Sequence, residues 1–200
     1  MRKVAETPSR MVEPDGTIHL GTFRTPFRDV NIFDVPLYSP SVKTPAFWKK
    51  FRLKEWQHYG IITPTHYFGM VIFDAKFMGV SFFYAYDRSE NKRFEHGAQL
   101  PGGASVVADQ MYDGLCEFKQ KGYLLRFENK LQDGYHKITI DIAGKKNRPA
   151  VRGEIKILED LNAIEPLVQV SPVTPFRPFY THKVAAPAEG ELMLGGKKIS

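Results

Sequence analysis

The chain has 200 residues, 42% hydrophobic, 13% aromatic and 25% charged, a balance that fills one sizeable core and excludes disorder for the bulk of it. A single cysteine, Cys116, excludes an internal disulfide framework and a thiolate zinc site and points to a reducing, cytoplasmic setting. The formal charge of +6 is scattered over Lys49, Lys50, Arg52 and Lys54, then Lys145, Lys146, Arg148 and Arg152, then Lys197 and Lys198. Acids such as Glu154, Glu159 and Asp160 stand between these groups, so no nucleic-acid partner is expected.

The opening segment, MRKVAETPSRMVEPDG, has no apolar run behind its basic start, and no segment approaches the length of a membrane span. No integral membrane segment is expected, and peripheral contact with a membrane stays compatible with the sequence. Residues 1–45 are rich in Pro, Thr, Ser and Asp and read as an extended N-terminal arm. Thr44 and Pro45 then provide a helix start, and Ala46 to Phe51 is read as one short helix whose Phe47, Trp48 and Phe51 plug one end of a sheet.

From Leu53 the period changes to two. Leu53 to Arg88 reads as three consecutive strands in which both alternating sets are largely apolar or aromatic, a pattern that requires cover on both faces. Residues 88–103 are polar and read as a long connection holding at most one short strand. Ala104–Gln110, Gly114–Lys119, Tyr123–Asn129, Tyr135–Ile142 and Val151–Leu158 follow as short strands. They are parted by Asp113-Gly114, Lys121-Gly122, Asp133-Gly134 and the Gly144 to Asn147 turn. Regular spacing of this kind means up-and-down antiparallel β. The fold class is therefore all-β: an antiparallel lipocalin-like, calycin-type barrel or strongly bent sheet. Residues 46–200 form the β domain; a hairpin begins at Gly195-Gly196 and the sequence stops as its return strand starts, as expected of the first part of a longer protein.

Several of these pieces carry a resemblance. Arg52-Leu53-Lys54-Glu55-Trp56-Gln57-His58, Gly60-Ile61, His66-Tyr67, Tyr84-Ala85-Tyr86-Asp87-Arg88, Thr181-His182-Lys183, Pro187 and the Gly190–Gly196 hairpin resemble the domain-of-unknown-function family twenty-eight oh four. That family is distantly similar to carotenoid hydratases of the hydroxyneurosporene synthase kind, built from two lipocalin-like barrels in tandem. The resemblance implies that this chain is the first half of a longer tandem-barrel protein and that any catalytic acid lies in the later half.

His58, His66 and His182, with Trp56, Tyr67, Asp74 and Lys183, are the candidate ligand-binding residues. Imidazoles hydrogen-bond a polar head group, and Trp and Tyr supply apolar walls with a polar edge. Across a hairpin turning at Thr63-Pro64, His58 and His66 are expected to share a face. No His or carboxylate pair has metal-ligand spacing, so neither a metal nor another cofactor is expected. Ser105 lacks a nucleophile frame and Cys116 reads as a core residue.

The expected function is the binding of a hydrophobic or lipid-like small molecule in a β-barrel pocket. One alternative is a hydratase or isomerase acting on an apolar unsaturated substrate, with its acid in a C-terminal half. Another is a structural or interaction module with a solid core. The sequence sets no oligomeric state.

Overall fold

The computed structural model describes residues 3–39 and 41–199. In chain order its elements are β1 (Val4–Ala5), β2 (Gly21–Phe23), a 3-10 turn (Ile32–Asp34), α1 (Ala46–Arg52), β3 (Glu55–Ile62), β4 (His66–Asp74), β5 (Met78–Asp87) and β6 (Lys92–Pro101). They continue with β7 (Gly114–Gln120), β8 (Tyr123–Lys130), β9 (Tyr135–Ile142), β10 (Val151–Ile157), β11 (Leu167–Thr174), β12 (Arg177–Lys183), β13 (Ala188–Leu194) and β14 (Lys197–Ile199).

The fold is all-β, with 53% of residues in strands against 7% in helix. One four-stranded sheet runs β3-β4-β5-β6, a six-stranded sheet runs β14-β13-β10-β9-β8-β7, and a small sheet runs β1-β2-β11-β12. None closes into a barrel. Closure would require β3 to gain a second strand neighbour, and among the described residues β4 is its only one. Of the two forms the sequence allowed, the open, bent one is found.

The two large sheets pack face to face, and alternation along each strand decides what lies between them. Ile61, Phe68, Met70, Ile72, Phe83 and Ala85 come from the first sheet. Phe118, Leu125, Phe127, Ile138, Ile140, Ile142 and Leu194 meet them from the second. The opposite face of β3, β4 and β5 covers itself with aromatic rings laid over glycines. A Cβ on Gly69 would lie 2.1 Å from Cζ of Tyr84, and one on Gly60 would lie 2.8 Å from the Tyr67 hydroxyl. Both tyrosines therefore use space that only glycine leaves open. Trp56, 6.3 Å from Phe73 and 5.7 Å from Phe179 of β12, extends this layer.

The first forty residues are less bare than their composition implies. β2 pairs with β11 through Val168↔Phe23 and Val170↔Gly21, and Met11, Val12, Phe23, Phe27, Val30 and Val35 bury a second cluster against Val168 and Val170. Asn31 holds this segment together. Its side-chain oxygen accepts from the backbone N–H of Met11 and Val12, both at 3.0 Å, and its amide donates to the Val12 carbonyl at 2.8 Å.

Four sequence expectations are corrected. Residues 92–101 form β6, a full edge strand, because Phe94, His96, Ala98 and Leu100 alternate inward while charged residues cover the other face. Ala104–Gln110 is irregular, held by the isolated bridge Val106↔Glu117. Phe47, Trp48 and Phe51 do not plug the sheet, since no residue of α1 is buried. Thr44 does not cap α1; its hydroxyl donates instead to the Pro36 carbonyl at 3.1 Å.

Candidate functional site

Residues 53 to 63, taken consecutively, line a cleft of about 1560 Å³. Both faces of β3 contribute, so it is the free edge of this strand that borders the space. The opposite walls are β12, the segment 184–188 and the start of β13, and Ile155, Ile157 and Glu159 continue the lining from β10.

Glu159 is the unusual residue. Along β10 the inward positions are Val151, Ile155 and Ile157; the same alternation carried two residues further places a carboxylate where an aliphatic side chain would be expected. It is wholly buried, as is His136, which precedes Ile138, Ile140 and Ile142 on the inward side of β9. His136 Nε2 lies 3.0 Å from Oε2 of Glu159, and His182 Nε2, on β12, lies 2.7 Å from Oε1.

One carboxylate, two residues past the end of β10, thus joins β9 and β12, which belong to two different sheets. Burial by itself would raise the Glu159 pKa; the hydrogen bonds and charges of the two imidazoles outweigh it and hold the value near 2. An ionised carboxylate only accepts, so each histidine must carry its proton on Nε2. His136 Nδ1 is then left buried without a partner.

A second polar group lies beside this one. Gln57 and Asn129 exchange amide hydrogen bonds of 2.7 and 3.1 Å between β3 and β8. The Cys116 thiol donates to Gln57 at 2.9 Å, and Gln57 also donates to the Tyr59 hydroxyl at 2.7 Å. Burial pushes the Cys116 thiol up to about 12 and the Tyr59 phenol further above its ordinary value. Tyr59 sits edge-on to Phe127 at 4.9 Å and 6.4 Å from the His136 ring, and so links the two groups. Among the described residues no group of three or more His, Cys, Asp or Glu is arranged to hold a metal ion. Among the same residues no helix is long and apolar enough to cross a membrane.

A family model described as "Domain of unknown function (DUF2804)" matches residues 2–200. The chain belongs to this family. No curated protein and no solved structure matches it.

In this DUF2804 chain the sequence-predicted site residues divide into two groups. Trp56, His58, His182 and Lys183 line the cleft. His66, Tyr67 and Asp74 lie outside its lining. The pairings Trp56↔Phe73, His58↔Val71 and Ile62↔Tyr67 put His58 on the outer face, whereas His66 continues the inward series of Phe68, Met70 and Ile72. The two histidines therefore face opposite sides of the sheet. His66 stacks on Phe68 at 5.5 Å and hydrogen-bonds Thr65 at 2.8 Å. Asp74 accepts from the backbone N–H and the ammonium of Lys76 at 2.7 and 2.9 Å, and the same ammonium bonds Glu55. That group closes the β4–β5 turn, where Lys76 adopts a positive φ of 73°. Partial burial lowers the His58 pKa.

Glu159 and His136 were not among the sequence candidates, although the alternation that predicts β9 and β10 also predicts both as inward-facing. Glu159 looked like one of several surface acids beside Asp160.

Proposed function

We propose that the chain binds a hydrophobic or lipid-like small molecule in the cleft, with the polar end of the ligand toward His182 and Glu159. The observation that carries this reading is a buried carboxylate–imidazole pair in the wall of a cleft whose apolar lining includes Tyr59, Ile61, Phe68, Ile155, Ile157 and Leu192, with charged side chains such as Lys49, Arg52 and Lys183 also on its walls. Ligand sites combine these features: mostly apolar walls and a few fixed polar groups. The volume exceeds the usual range of about 300–1,000 Å³ and suits an elongated or bulky molecule.

The test uses a polyene fatty acid, cis-parinaric acid, whose emission rises on leaving water. Saturable uptake by the native chain is expected, and Ala186→Trp, which fills the cleft from a connecting segment, should weaken it about tenfold or more at unchanged circular dichroism. Absence of saturable uptake by the native chain overturns the reading.

The His182–Glu159 contact favours a second reading, acid–base catalysis on an apolar unsaturated substrate such as hydration or isomerisation. A carboxylate on Nε2 orients the ring and leaves Nδ1 as the base. Oleic acid incubated with the native chain and with His182→Ala separates the readings. Product from the native chain alone supports catalysis; none from either removes it.

A further inference from the structure

Helix α1 is built for something other than the core. Its seven residues, AFWKKFR, contain no acid in the first turn, three basic residues in the last, and no buried side chain. Phe47 is 74% exposed and Phe51 45%. A helix in a folded domain usually hides its aromatic stripe, whereas this one displays it.

The aromatic surface extends beyond the helix. Trp48 stacks on Phe51 at 5.6 Å, and Phe51 lies 6.3 Å from Phe77, itself 57% exposed in the β4–β5 turn. Trp48 Nε1 donates to the Tyr38 hydroxyl at 2.9 Å, which satisfies the polar edge of the indole. Two sequence-distant segments thus contribute to one exposed apolar patch.

Its border is cationic. Lys49, Lys50 and Arg52 have no ion-pair partner among the described residues; the Lys49 ammonium donates to the Phe33 carbonyl at 2.8 Å, and Lys54 Nζ, held by the Phe51 and Ala75 carbonyls, lies 5.4 Å above both the Phe51 and Phe77 rings. The nearby acid Glu55 is engaged by Lys76. Exposed aromatics beside Lys and Arg side chains that no acid neutralises match the two attractions of a bilayer interface: burial of rings at the headgroup boundary and attraction to anionic lipid.

We propose that α1 and the Phe77 turn form a docking surface for anionic phospholipid membranes, with Phe47, Trp48, Phe51 and Phe77 entering the interface and Lys49 and Lys50 facing the headgroups. Lys49, Lys50 and Arg52 also line the cleft, so docking would bring its rim to the lipid. The docking itself does not rest on the ligand reading.

The experiment is co-sedimentation of the full chain with phosphatidylcholine vesicles and with phosphatidylserine–phosphatidylcholine vesicles. Binding is expected for the second and should fall steeply with salt. Phe47→Ser with Phe51→Ser should reduce partitioning by about tenfold or more. Lys49→Glu with Lys50→Glu should remove the preference for phosphatidylserine, a loss of roughly 25-fold at about fivefold per basic residue. In a Trp56→Phe background Trp48 is the remaining tryptophan of two, and its emission should shift to the blue on binding. All four residues lie outside the buried core, so circular dichroism should be unchanged. Uptake of cis-parinaric acid by the Phe47→Ser, Phe51→Ser variant, whose two residues lie outside the cleft lining, is measured without vesicles and keeps failure of docking distinct from failure of the cleft. No sedimentation with phosphatidylserine vesicles, or equal sedimentation of the native chain and both double variants, overturns the proposal.

Discussion

Replacing Glu159 by glutamine tests whether one buried carboxylate holds β9, β12 and the end of β10 together. Glutamine keeps the shape but offers one acceptor and one donor where the carboxylate offered two acceptors. One histidine keeps its bond to the amide oxygen; the other faces an N–H₂ group and must turn its proton to Nδ1. At His136 that nitrogen is buried and unpartnered, so the switch would bury an unpaired N–H at a cost of about 1–3 kcal/mol. The pKa gives an independent figure. The distance from an ordinary value of 4.5 to about 2 corresponds to about 3 kcal/mol at ~1.4 kcal/mol per pH unit. Since the folded value is the depressed one, the folded state binds fewer protons than the unfolded state between these limits. The stabilisation is therefore complete above about pH 4.5 and lost as pH falls through about 2. Equilibrium urea unfolding at a series of pH values should show Glu159→Gln about 3 kcal/mol less stable than the native chain near neutrality, with the gap closing toward pH 2. A gap that stays constant across this range, or one under about 1 kcal/mol at neutrality, would refute the reasoning.

Three further outcomes follow from buried groups. Asn129→Ala leaves Gln57 without its partner across β3 and β8 and should cost about 1–3 kcal/mol in urea unfolding. Cys116, buried with its thiol pushed up to about 12, should resist a disulfide reagent in the native chain at neutral pH and react fully in denaturant. A Cβ at Gly153 would stand 2.2 Å from the Glu191 carbonyl and 3.0 Å from Leu192 Cα. Gly153→Ala should therefore force β10 and β13 apart and lower stability by roughly 1–3 kcal/mol, read as a shift in the urea midpoint at unchanged slope.

Strands whose two faces differ, or whose turns carry glycine, were legible in the sequence. β7 to β10 and the Gly195-Gly196 hairpin lie where alternation and turn residues put them, and β3 to β5 lie within the aromatic stretch from Leu53 to Arg88. β6 was hidden because an edge strand needs apolar residues on only one face, and Lys92, Arg93 and Glu95 disguise it. β11 and β12 were hidden for another reason: Pro172 and Pro178 interrupt them, and they pair with each other across a register shift. For the site, residue type was a poorer guide than position. His66 and Asp74 have suitable chemistry but serve a stacking contact and a turn. Glu159 and His136 hold positions that the alternation assigns to the interior, and a charged residue there is the stronger signal.

The cleft follows from a gradient of side-chain size along β13. Its inward positions, set by register with Ile157, Ile155, Gly153 and Val151, are Ala188, Gly190, Leu192 and Leu194 in turn. Leu192 and Leu194 join the core, and the glycine and alanine before them leave the inter-sheet space unfilled. Larger residues at those two positions would close the space, but Gly190 cannot accept one. Its φ is 143°, and a Cβ would lie 2.2 Å from the Glu154 carbonyl. The close approach of β10 and β13 therefore requires a residue without a side chain at the point where the cleft opens. Packing that draws the strands together and the opening of the cleft meet at Gly190, which is why the cleft cannot be filled from that position and Ala186 in the connecting segment is used instead.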